Sequence, residues 1–237
     1  MLDRTKLKEQ DLILTMLSKT GAQVKVVGKG ARKPGSRLAA RTELATEFDC
    51  VYSEGRGLGI VSEAQIMDAH KGVRGDLERL SCASALLEVA RFTSFEDVED
   101  PFLYPILARA LAATEEATDR AHLDLLWAAY TFKVLSHEGW RPVTDACVVC
   151  EEDARTRFSV LAGGAVCESC ARDIEGAVPV TEDELSWIEA LIGCTFQELM
   201  ESPVDDQMAG WLQQTARQWA SAHLDVRLKA AEFFEQI

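Results

Sequence analysis

Cys147-Val148-Val149-Cys150 and Cys167-Glu168-Ser169-Cys170 form two CxxC pairs with sixteen residues between them. The separation falls inside the C-x2-C…C-x2-C spacing of a zinc site. Each pair turns two sulfurs toward one point, and two pairs complete a tetrahedral shell. Between the pairs, Arg157–Val160 and Gly163–Val166 read as a short two-stranded ribbon, with Gly163-Gly164 as its turn. An all-cysteine shell leaves no position for water or substrate, so the expected cofactor is one structural Zn²⁺. Cys50, Cys82 and Cys194 lack partners at ligand spacing and read as small buried hydrophobes. His70, His122, His137 and His223 stand alone, and no catalytic motif is present, so the chain reads as a non-enzyme.

Charge is divided unevenly. Residues 1–41 carry ten Lys/Arg and three Asp/Glu, a net +7, whereas residues 42–237 carry fifteen and thirty-six, a net −21. Such asymmetry points to nucleic-acid contact by the basic head. Four paired cysteines among seven suit a reducing compartment. No apolar run is long enough for a membrane span, and Met1–Lys6 has no leader-like apolar region. A cytoplasmic, nucleoid-associated location is therefore expected, with no membrane partner.

The first 75 residues read as short antiparallel strands with glycine turns. Asp11–Leu17 is a buried strand and Gln23–Val27 the next, with Thr20-Gly21 turning between them. Phe48, Cys50 and Tyr52 share one face of a third strand. Glu54–Gly57 turns into a fourth strand that starts near Leu58. A small barrel of the OB type fits this pattern. Gly28–Arg37 is a basic loop holding Lys29, Arg32, Lys33 and Arg37, with glycines that permit close approach to a phosphate. It is not a phosphate-binding P-loop, because no Gly-Lys-Ser/Thr ends it and no helix pattern follows directly. Phe48 and Tyr52 are candidates to stack bases, with at least one of them expected in the core.

From Asp76 the periodicity becomes helical. Leu77–Ala90 reads as a buried helix, Pro101–Ala113 as another, and Leu123–Val134 as an apolar stripe stopped by Gly139. Thr181…Glu184 and Thr195…Glu198 are capping boxes. Met208, Trp211, Leu212, Thr215 and Trp219 share one face of a long final helix reaching about Phe234. Trp127, Trp211 and Trp219 are read as core. The expected class is α+β: an N-terminal barrel over 1–75, then a helical domain over 76–237 with a ribbon inserted at about 145–175.

In collinear order, Gln10–Leu17, Gly28–Pro34 with Ser36-Arg37, Tyr52–Leu58, Asp76–Leu80 and Leu86–Val89 resemble the bacterial recombination mediator family RecO. Phe132–Leu135, Gly139–Pro142, Cys147–Cys150, Gly163–Cys170 and His223–Lys229 continue the series. The resemblance implies an N-terminal OB-fold, a helical domain with an inserted zinc ribbon, and a non-enzymatic role in recombinational repair. It implies binding of single- and double-stranded DNA, annealing of complementary strands, and docking of the acidic tail of single-strand binding protein. It further implies action with RecR, and with RecF, to load RecA. Lys29, Arg32, Lys33 and Arg37 are the DNA-binding residues it implies, with Arg4, Lys6, Lys25 and Arg56 as further candidates. Lys133, Arg141, Arg227 and Lys229 are the cations it offers to a protein partner. The family has residues ahead of the stretch matching Leu2–Thr5, so the first strand is expected to be clipped. The other reading is a zinc-ribbon scaffold that binds proteins and not DNA.

Overall fold

The computed structural model describes residues 1–53 and 57–237. The turn at Glu54-Gly55-Arg56, and with it the candidate Arg56, lies outside the described residues. Two compact units divide at 115/116.

In the first unit, β1 (Asp3–Lys6), β2 (Leu12–Leu17) and β3 (Gln23–Gly28) form an antiparallel meander. A short helix α1 (Arg37–Arg41) follows, then β4 (Glu47–Ser53) and β5 (Gly59–Asp68), which pair antiparallel. The strand order is β1-β2-β3-β5-β4, and β3 and β5 run parallel. The meander alternates because one face is dry: Leu12, Leu14, Met16 and Val26 meet Val61 and Ala64, with Phe48 and Cys50 packed against them. Tyr52 stays exposed. At the sheet's ends, the Met1 carbonyl accepts from the Ala45 N–H at 3.2 Å and its ammonium donates to the Thr46 carbonyl at 2.9 Å. Burial drives the Met1 amine down to about 5.

Helix α1 corrects the expectation that no helix follows the basic loop. Ser36 supplies the cap, its Oγ accepting from the Ala39 N–H at 3.3 Å. The unit is completed by α2 (Lys71–Arg74), α3 (Leu77–Thr93) and α4 (Leu103–Glu116). One side chain stitches sheet to helix: Gln23 Nε2 donates to the carbonyls of Arg91 at 2.9 Å and Ser94 at 3.2 Å. Gly21, at φ +86°, sits against the Asp100 backbone where no Cβ would fit.

The second unit is built on α5 (Arg120–His137), which is buried on nearly every side, with Leu125, Leu126, Trp127 and Phe132 fully enclosed. The ribbon follows, with β6 (Arg157–Ser159), β7 (Gly164–Val166) and a third strand, β8 (Val178–Pro179), paired to the free edge of β6. Helices α6 (Glu182–Gly193) and α7 (Phe196–Glu201) both open with the capping boxes read from Thr181 and Thr195. The expected single final helix is two: α8 (Asp206–Leu224) and α9 (Lys229–Gln236). Asp225 breaks them by adopting a left-handed conformation, φ 51° and ψ 43°, which a short polar side chain tolerates. Trp219 is buried within the unit, as is Trp127, while Trp211 is half-buried. Among the described residues, no helix is long and apolar enough to cross a membrane.

Candidate metal centre and basic surface

Local turns aim the four sulfurs. In the first pair the Glu151 N–H donates to the Cys147 carbonyl at 2.9 Å, and Glu151 takes a left-handed φ of 62° to close the knuckle. The Val148 N–H donates to the Ala165 carbonyl at 2.9 Å, which ties this knuckle to β7. In the second pair the Ala171 N–H donates to the Cys167 carbonyl at 3.0 Å, and the Cys170 N–H points at Cys167 Sγ at 3.4 Å. The Sγ atoms of Cys147, Cys150, Cys167 and Cys170 lie within 4.8 Å of one another. Cys150 and Cys167, one from each knuckle, are 3.8 Å apart. Metal–sulfur bonds of about 2.3 Å in a tetrahedron place sulfurs about 3.8 Å apart, so the donor set fits one ion.

The electrostatics suit a cation. Burial opposes ionisation of Cys147, yet the N–H groups of Cys167, Cys150 and Val149 outweigh it and hold the thiol down at about 6. The Ser169 hydroxyl likewise lowers Cys167. Cys170 is driven up to about 12 by its hydrogen bond to Cys167 and by burial. A dication among the four would hold every sulfur as thiolate. Cys82 is buried, while Cys50 and Cys194 are half-buried and lie outside the group.

The basic loop is held from beneath. Asp11 Oδ1 accepts from the Gly30 N–H at 2.8 Å, and Arg32 Nη1 donates to the Glu9 carbonyl at 2.9 Å. Lys29, Arg32, Lys33 and Arg37 are all exposed. Among the described residues no carboxylate pairs with any of these four, nor with Lys6. Lys29, Arg37 and Arg41 line one open cleft of about 610 Å³ beside Val51, Ser62 and Gln65, with Asp49 and Glu63 also on its wall. Arg41 was missed in the sequence; its signal is the four-residue step from Arg37, which puts both on one helix face. Two other candidates are already matched: Arg4 pairs with Glu43 at 2.6 Å and Lys25 with Glu96 at 2.7 Å.

Three of the four candidate partner cations are held within the unit, Lys133 and Arg141 by α6 and Arg227 by α9. Lys133 Nζ donates to the Ile192 carbonyl at 2.9 Å and to that of Cys194, capping the end of α6, and burial lowers its pKa. Arg141 pairs with Glu189 at 2.6 Å, and Arg227 forks onto Glu232 at 2.8 Å. Lys229 opens α9. His70 is not alone: its Nδ1 lies 3.0 Å from Glu115 Oε2, while its backbone N–H donates to Asp68 at 2.8 Å.

The chain matches two family models, recombination protein O N terminal over residues 1–70 and recombination protein O C terminal over residues 74–232. It is 29% identical over 252 residues to the DNA repair protein RecO of Synechococcus elongatus, covering 100% of this chain and 93% of that one. To the DNA repair protein RecO of Bacillus mycoides it is 27% identical over 230 residues, covering 97% and 92%. With both models matched across nearly its whole length, the chain belongs to the RecO family.

Proposed function

We propose that this chain is a non-catalytic recombination mediator in DNA repair, which binds single- and double-stranded DNA through its N-terminal unit and anneals complementary strands. One observation carries the reading: Lys29, Arg37 and Arg41 converge on one cleft, free of carboxylate pairing among the described residues, on a chain whose net charge is −14. Repulsion from the acidic remainder confines a polyanion to that surface. Lys33, Arg32 and Lys6 extend it; Arg4 and Lys25 join only by leaving Glu43 and Glu96; Arg56 stays a further candidate from the sequence. Contacts to phosphate give sequence-independent binding that weakens with salt. Holding two strands with part of their charge neutralised promotes annealing.

The sheet is read as a partly open OB-type barrel. The order β1-β2-β3-β5-β4, the parallel β3–β5 pair and the bonds of Met1 to Ala45 and Thr46 support that reading. The DNA-binding part is about 1–75 and the helical part about 76–237, carrying the ribbon at about 145–175. The family-model boundary between 70 and 74 is what supports that division, while the compact units divide at 115/116. The four cysteines hold one structural Zn²⁺, with no position left for chemistry. Protein partners are the acidic tail of single-strand binding protein and RecR, with RecA loading as the outcome and RecF as a further partner. Arg141 and Arg227 are exposed, and an acidic tail recruits them by displacing Glu189 and Glu232. Lys133 and Lys229 are secondary candidates.

The test is the triple variant Lys29→Glu, Lys33→Glu, Arg37→Glu. Its affinity for a single-stranded oligonucleotide falls at least about a hundredfold at moderate salt, with an unchanged melting temperature. An unchanged affinity rejects the assignment. The scaffold reading is favoured instead if the wild type shows no salt-dependent DNA binding.

A further inference from the structure

We infer that the groove between α6, α7 and α8 docks a cationic amphipathic segment of another protein, an apolar side chain flanked by lysines or arginines. From Asp173 to Ala216 the chain carries ten Asp/Glu and no Lys or Arg. In this stretch α6, α7 and the start of α8 fold around an open cleft of about 420 Å³. Trp187, Leu199, Val204 and Met208 supply its apolar lining, and Asp183 and Asp205 stand with them. No cation lines it.

Four other carboxylates of this stretch have structural roles. Glu184 and Glu198 close the capping boxes, Glu189 pairs with Arg141, and Glu182 pairs with Arg155. Asp205 caps α8 through one oxygen, accepting from the Met208 N–H at 2.8 Å, which leaves the other. Asp183 is exposed and has no basic partner among the described residues. An apolar anchor fills such a cleft only if its flanks match the negative field, because like charges across an interface repel. The acidic tail proposed as a partner above is therefore excluded here, and so is DNA. The inference is independent of the DNA-binding reading and stands if that reading fails.

The probe is a short fluorescent peptide with Leu-Trp between two lysine triplets, titrated into the full chain and read by anisotropy and by the ¹⁵N indole resonance of Trp187. Binding is expected to shift that resonance. Val204→Arg and Asp183→Lys are each expected to weaken binding at least about tenfold, with DNA affinity unchanged. Asp183 is exposed on the first turn of α6, so its variant keeps the test valid if Val204→Arg fails to fold. The proposal is overturned if a glutamate-flanked peptide binds as well, or if a peptide with Ala-Ala at its centre does. It is also overturned if neither variant weakens binding. Self-association of the chain that Asp183→Lys abolishes would assign the groove to a second copy instead.

Discussion

The ring of Phe158 on β6 lies 5.8 Å from the ring of Trp219 on α8, and both side chains are fully buried. Trp219 also reaches back, its Nε1 donating to the Trp140 carbonyl at 2.9 Å. The ribbon therefore shares its core with the helices. Its own apolar cluster is small, with Cys147, Val166 and Cys167 at the centre. Stripping the metal should loosen Phe158 and be felt at Trp219. Freshly purified protein is expected to hold about one zinc per chain by metal analysis. A strong chelator, or Cys170→Ser, is expected to lower the melting temperature by about 10 °C in calorimetry. Protein without zinc, or an unmoved melting temperature on chelation, would count against a structural metal.

Lys25 is held by Glu96, seventy-one positions away. Glu96→Ala releases it toward solvent and removes one negative charge. DNA affinity should rise about two- to threefold at low salt, and the gain should vanish at high salt as the field is screened. Fluorescence anisotropy over a salt series measures it. A loss of affinity would place Lys25 outside the DNA path.

His223 is stacked on Trp140 at 4.7 Å and lies 4.4 Å from Trp219, with its Nε2 buried and unbonded. Burial lowers its pKa below 6.5. As pH falls through about 6.5, the unfolded chain takes up the proton first, so the folded state loses stability until its own lower pKa is reached. The contribution is intact above that window. His223→Phe keeps the stacking and removes the proton site. Urea denaturation at pH 7.5 and 5.5 should therefore show a smaller loss for the variant than for the wild type; equal losses would refute the assignment.

Gly164 opens β7 at φ +149°, and a Cβ there would lie 2.1 Å from the Val143 carbonyl oxygen. Gly163, at φ +92°, has open space around it. Gly164→Ala should cost about 3 kcal/mol and Gly163→Ala about 1 kcal/mol, the first adding a steric clash to the backbone strain. Denaturant midpoints for the two variants check the order.

Where local chemistry decides, the sequence was legible. The cysteine spacing located the four sulfurs, Thr181 and Thr195 with their glutamates opened α6 and α7, an apolar run located β2, and alternation located β3 and β4. Conformations set by single residues were not visible. Ser36 starts α1 in a stretch that reads as loop, and Asp225 ends α8 although the apolar periodicity continues. Long-range pairing was also hidden. The cations Arg4, Lys25 and Arg141 look alike in the sequence, and only tertiary approach gives each a glutamate. Lys133 is the sharpest case, because its acceptors are carbonyls at a helix end about sixty residues on, which carry no side-chain signature at all.

The amide of Gln23 also bears on how this protein can be taken apart. Its acceptors lie on the last turn of α3, beyond the boundary between the two family models. A fragment ending at residue 70 would keep every strand of the first sheet and lose what holds the start of β3. A fragment ending at residue 115 keeps both halves of the seam. Limited proteolysis should accordingly release the longer piece, and the shorter one should be soft to further digestion from β3 onward.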